Sequence, residues 1–277
     1  MNEERRRIAL LLEYDGTAFA GSQWQPHERT VQEVLEAARR EFTGERAEAG
    51  NRIGFAGRTD SGVHAWGQVA ALSTQARHSP ATWRDALNHF LPEDVAVRAA
   101  AAVAVTFDPR RDAEARRYRY RIEDGRGRSP LTRRQAWQVE RPLDISAMAE
   151  AMALLPTVER DWAAFGGPVP EHYSTVRTLL HASVERGEPA GGWWSGITVE
   201  MEADGFLPHQ VRRTIGALER VGSGRLDPHA FAALVDGPPA SAGPAAPPQG
   251  LTLVAVRYPP GTVDWNRETE PGDWDER

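Results

Sequence analysis

The sequence predicts an α+β protein, with strands and helices in irregular alternation. Three observations carry that expectation. Eight short runs of apolar, strand-forming residues are bounded by turn residues, and four amphipathic segments carry helix start or stop signals. The 277 residues are 40% hydrophobic, enough for one large core or two medium ones.

The first strand is expected at about 7–14, where Ile8 to Leu12 is an unbroken apolar run. Thr30-Val31-Gln32-Glu33 is a capping box, in which the Thr hydroxyl and the Glu side chain satisfy the free N–H groups of a helix start. Val31, Val34, Leu35 and Ala38 then fall on one face of that helix. Strands at about 52–57 and 67–73 enclose a tight loop, and Ser79-Pro80 opens a second helix that Pro92 closes. Further strands are expected at about 95–104 and 116–122; in the second, Tyr118 and Tyr120 share one face while Arg117, Arg119 and Arg121 take the other. A third helix spans about Asp144 to Leu155, followed by strands near 176–185 and 193–203. The fourth helix runs from Pro208, at its first position, to Val221, with Val211, Ile215 and Leu218 facing the core and Gly222 past its end. The Pro/Ala/Gly-rich stretch from Gly237 to Gly250 reads as a connecting loop to a last strand at about 251–258.

Composition narrows the chemistry. There is no Cys, which excludes disulfides, thiolate metal sites and cysteine nucleophiles. The eight His show no metal-ligand spacing, so neither a metal nor another cofactor is expected. No apolar run approaches a bilayer's thickness, and the protein is read as soluble and cytoplasmic with no membrane partner. The net charge of −6 argues against a nucleic-acid partner until its distribution is considered. Residues 264–277 hold six acids against two Arg, a net −4 in a tail that reads as disordered. Residues 108–134 hold ten Arg against five acids, a plausible phosphate-binding strip. All 33 basic residues are Arg; coding bias is the first explanation, although Arg also suits phosphate and stacking contacts.

The loop Gly57-Arg58-Thr59-Asp60-Ser61-Gly62-Val63-His64-Ala65 places one carboxylate on a turn between two strands, where chemistry is commonly mounted. Asp-Ser-Gly is also ordinary turn chemistry, with Asp accepting backbone N–H groups and Gly taking a positive φ. The nonapeptide resembles the catalytic-loop motif of the TruA family of tRNA pseudouridine synthases, with Ser61 replacing an Ala as its only departure. Glu13-Tyr14-Asp15-Gly16, Thr30-Val31-Gln32, Ala115-Arg116-Arg117-Tyr118-Arg119-Tyr120, Phe206 to Arg213 and Gly250 to Val256 resemble the other signatures of the family, in the expected order. A second departure is Ser22, in Gly21-Ser22-Gln23, where the family carries Trp; Trp24 follows two residues on, so local base or backbone contacts are expected to differ there.

The resemblance implies the pseudouridine synthase fold: two similar halves, 1–105 and 106–260, whose sheets merge into one extended, largely antiparallel mixed sheet with a cleft across it, followed by the acidic tail 261–277. It also implies a homodimer acting on uridines 38, 39 and 40 of the tRNA anticodon arm. Asp60 is then the catalytic carboxylate. Tyr118, Arg58 and Arg212 bind substrate: Tyr118 stacks on the base, Arg58 holds the flipped nucleotide or its phosphate, and Arg212 keeps the carboxylate charged. His64 and Thr59 are read as braces of the loop. Two rival readings are a non-catalytic RNA-binding protein and a nucleoside N-glycoside hydrolase using the same Asp60. A pure binder gains nothing from a carboxylate among phosphates, and free uracil would betray the hydrolase.

Overall fold

The computed structural model describes residues 5–48, 50–125, 127, 129–187 and 196–265. In chain order the strands are β1 (Arg6–Tyr14), β2 (Gly54–Phe55), β3 (His64–Thr74), β4 (Val95–Val103), β5 (Ala115–Asp124), β6 (Trp137–Val139), β7 (Glu159–Asp161), β8 (Val176–Arg186), β9 (Ile197–Ala203) and β10 (Leu251–Arg257). The helices are α1 (Val31–Thr43), α2 (Pro80–Phe90), α3 (Ile145–Ala153), α4 (Gln210–Gly222) and α5 (Pro228–Ala233). The expected α+β class, with largely antiparallel strands and flanking helices, is what these elements form. The chain divides into two compact units: the described residues up to Glu114 together with those from Leu253 onward, and Ala115–Thr252. Much of the acidic tail, together with Arg126 and Arg128 of the arginine strip, lies outside the described residues.

The first unit is built on the sheet β4-β1-β3-β10, with β2 paired to β3. β1 is antiparallel to both β3 and β4. Ile8 to Leu12 are buried without alternation, so both faces of this strand are covered, which is why its sequence is a continuous apolar run. Thr30 caps α1, its hydroxyl accepting from Glu33 N–H at 3.2 Å, which is the Thr half of the expected capping box, and Gly44 in the left-handed region ends the helix. Ser79 caps α2 through the Thr82 N–H, and Pro80 takes its first position. β2 is shorter than the expected 52–57. The Ile53 backbone bonds to side chains of α1 instead of to a strand, its N–H to Glu36 Oε1 and its carbonyl to Gln32 Nε2. β3 starts three residues earlier than expected, because His64 is buried and joins the ladder directly after the loop.

In the second unit the strands run β5-β9-β8-β7, with β6 parallel to β5, and α3 packs on β8, α4 and α5. β6, β7 and α5 were not expected; two three-residue strands and a six-residue helix are too short for a periodic signal, although Asp227-Pro228 is a usable cap. The start of α4 corrects the sequence reading. Pro208 does not open the helix: Gln210 is its first residue, and His209 before it takes the left-handed conformation at φ 60°. Val211, Ile215 and Leu218 do face the core. No helix among the described residues is long and apolar enough to cross a membrane.

Candidate active site

The Asp60 loop joins β2 to β3, an antiparallel pair in which Gly54 opposes Ala71 and Phe55 opposes Ala70. Asp60 and the following residues turn the chain tightly: Val63 N–H donates to the Asp60 carbonyl at 3.1 Å and Gly62 sits at φ 79°. Thus the turn reading of Asp-Ser-Gly is correct for the backbone, and the half-buried Asp60 side chain is carried on it. Arg58 is exposed at the rim of the same loop.

The residues on either side of Asp60 are fixed from several directions. Thr59 N–H donates to Ser22 Oγ at 2.9 Å, and Ser22 N–H returns a bond to the Thr59 carbonyl at 3.1 Å. The Thr59 hydroxyl is 2.8 Å from the Tyr14 hydroxyl, which also accepts from Gln68 Nε2 at 3.4 Å. Gln68 in turn donates to the Gly57 carbonyl at 2.8 Å. The Ser61 hydroxyl donates to the Phe19 carbonyl at 3.2 Å. His64 Nδ1 accepts from Gly16 N–H at 3.1 Å and lies at the same distance from Asp15 Oδ1. Each bond replaces freedom of the loop with a defined orientation of the carboxylate.

Ser22 is the residue whose part the sequence did not reveal. It is fully buried, and a Trp indole at this position has no acceptor for Thr59 N–H. What reads as a departure from the family pattern is a hydroxyl clamp on the residue before the carboxylate. Gly21 beside it sits at φ 104°, with the Thr59 carbonyl 2.8 Å from where a Cβ would stand, so only glycine passes there.

Tyr14 supplies a pH signature. Burial is the main cause that pushes its hydroxyl up to about 12, against bonds to Thr59 and Gln68 that lower it. The folded protein therefore holds this proton more tightly than the unfolded chain: its contribution is intact below about pH 10 and is lost as pH rises toward 12, by roughly 3 kcal/mol at most. With no Lys in the chain, no ammonium titrates across that range. Tyr14→Phe is expected to be about 1–2 kcal/mol less stable than wild type at pH 8, with the gap narrowing or closing at pH 11.5, measured by urea unfolding.

The second unit carries Tyr118 and Arg212. Tyr118 is buried on β5, opposite Met201, and Phe206 meets its ring edge-on at 5.3 Å between centroids, fixing the ring plane. The other face of β5 is not a free phosphate strip. Arg117 and Arg119 lie across from Glu202 and Glu200 of β9 and pair with them at 3.0 and 2.7 Å, a result of register that the linear charge count does not contain. Arg212, in the first turn of α4, is half-buried. Its Nε donates to the Ala246 carbonyl at 2.8 Å while Ala246 N–H donates back to the Arg212 carbonyl at 2.8 Å. Tyr120 anchors the same segment through Pro247, donating to its carbonyl at 2.7 Å. The stretch read as a plain connecting loop is therefore the support of Arg212.

Comparison with known proteins gives a consistent likeness. A family model described as tRNA pseudouridine synthase matches residues 11–110 and 159–259, which include Arg58, Asp60 and Arg212 but not Tyr118. The chain is 46% identical over 254 residues to tRNA pseudouridine synthase A of Roseiflexus castenholzii, covering 92% of this chain and 91% of the relative. It is 42% identical over 255 residues to the protein of that name from Geobacter sulfurreducens, covering 91% and 100%. A third, from Myxococcus xanthus, is 40% identical over 268 residues, covering 93% and 97%.

Proposed function

The chain belongs to the tRNA pseudouridine synthase family, and from that premise we propose that it isomerises uridine to pseudouridine at positions 38, 39 and 40 of the tRNA anticodon arm, acting in the cytoplasm as a homodimer without a metal or other cofactor. The observation that carries the reading is the placement of Asp60: a half-buried carboxylate on a turn whose preceding residue is clamped at its N–H, carbonyl and hydroxyl.

The reaction breaks the N1–C1′ bond, turns the base and joins C5 to C1′, after which C5 loses a proton and N1 gains one. Atoms balance without oxidant or reductant. Asp60 serves at the ribose, either by attacking C1′ to give a glycosyl ester from which C5 then displaces the carboxylate, or by removing the C2′ proton to give a glycal and returning that proton to C2′ as C5 joins C1′. Arg212 is assigned to keep the carboxylate charged against desolvation, and Tyr118 to stack on the base and assist the loss of the C5 proton. Arg58 is assigned to the flipped nucleotide or its phosphate. These assignments rest on the motif match, with Tyr118 and Arg212 each on a supported element of the second unit.

The test is site-resolved detection of pseudouridine by carbodiimide adduct and primer extension on unmodified tRNA incubated with the protein. New stops at 38–40 are the expected result. Free uracil in the product would establish the hydrolase instead, and tight binding without stops would establish the RNA-binding protein.

A further inference from the structure

Beside α1 the first unit has a cavity of about 480 Å³ whose lining includes Trp24, Glu33, Glu36, Arg40, Arg46 and Arg52. The Arg52 guanidinium lies over the Trp24 ring, 4.3 Å from its centroid, and reaches Glu36 Oε2 at 3.6 Å. Glu36 is itself fixed, its Oε1 accepting from Gln32 Nε2 and Ile53 N–H at 3.1 Å each. Trp24 N–H donates to Gln32 Oε1 at 2.8 Å. The indole is thus held in place from both backbone and ring, yet remains 39% exposed. An anchored aromatic ring with one face already against a guanidinium offers its remaining surface to a second planar group at little entropic cost.

Two charges complete the site. Arg46 has no ion pair among the described residues, and Arg40 pairs only with its exposed neighbour Glu41 at 3.2 Å, an interaction of small worth. Glu33 and Glu36 repel phosphate, which leaves Arg40 and Arg46 as the phosphate side. Trp24 follows Ser22 by two residues, about 7 Å of extended chain, and Ser22 is the clamp on Thr59. The cavity and the Asp60 loop are therefore served by one short segment.

We propose that this cavity is a second nucleotide subsite, in which a base of the substrate RNA flanking the target uridine stacks on Trp24 while its phosphate lies against Arg46 and Arg40. The proposal rests on the tRNA reading above. It assigns to Trp24, displaced from the family's usual Trp position, a contact of its own.

The experiment uses the full chain and an in vitro transcribed tRNA, with filter binding at several salt concentrations and single-turnover pseudouridine formation. Trp24→Ala is expected to weaken tRNA binding about 5- to 150-fold with the rate at saturating tRNA within about twofold of wild type, and Trp24→Phe to recover most of the loss. Arg46→Ala is expected to flatten the slope of log affinity against log salt by about one unit. Wild-type affinity in both alanine variants would overturn the subsite. So would a lower saturating rate with unchanged affinity in Trp24→Ala, which would make Trp24 a brace of the catalytic loop. If wild type forms no pseudouridine, the functional reading falls on that assay alone, and the binding comparison still decides the subsite.

Discussion

Asp60→Ala is expected to lower pseudouridine formation in tRNA by about 10⁴-fold or more, while tRNA affinity stays within about threefold of wild type. On the proposed assignment both routes at the ribose depend on this carboxylate, and a group acting only in the transition state contributes several kcal/mol that binding cannot replace. Affinity is retained because a carboxylate among phosphates does not attract RNA; its removal relieves repulsion. Single-turnover kinetics with a matched binding titration check both halves. Activity above one-tenth of wild type in the alanine variant would remove Asp60 from the catalytic role, and fold integrity is read from an unchanged urea midpoint.

Gly16→Ala is expected to cost about 3 kcal/mol or more of stability and to take activity down with it. A Cβ on Gly16 would stand 1.9 Å from the Val63 carbonyl oxygen and 2.4 Å from its carbon, both backbone atoms that cannot rotate away. Val63 follows Gly62 in the Asp60 turn, so the displacement is delivered to the loop that carries the carboxylate. The Gly16 N–H bond to His64 Nδ1 is strained by the same shift. By contrast, Gly127→Ala meets no atom within 4 Å and is expected within about 0.5 kcal/mol of wild type. Urea unfolding of the two variants side by side is the measurement, and a Gly16→Ala protein as stable as the control would show that the turn yields without cost.

The same glycine shows how motif and structure divide the explanation. Glu13-Tyr14-Asp15-Gly16 is visible as a signature in the sequence, but the reason for its members is visible only when β1 is paired with β3. Tyr14 then reaches Thr59, 45 residues away, and Gly16 lies under Val63. Helix starts were legible because a cap is a local device: Thr30 needs only Glu33, and Ser79 only Thr82. The start of α4 was not, because His209 adopts a left-handed conformation that Pro208 alone does not announce.

The sequence by itself determined the α+β class, the long strands, four helices and the single carboxylate on its loop, since each depends on residues within a few positions of one another. Tertiary structure alone decided what holds that carboxylate and where charge is spent. Ser22 is a clamp only because it meets Thr59 across 37 residues, and Arg117 and Arg119 are neutralised only because register sets them opposite Glu202 and Glu200. The physical reason is range: hydrogen-bonding capacity and charge are properties of a residue, but a partner distant in the chain is chosen by strand register and packing.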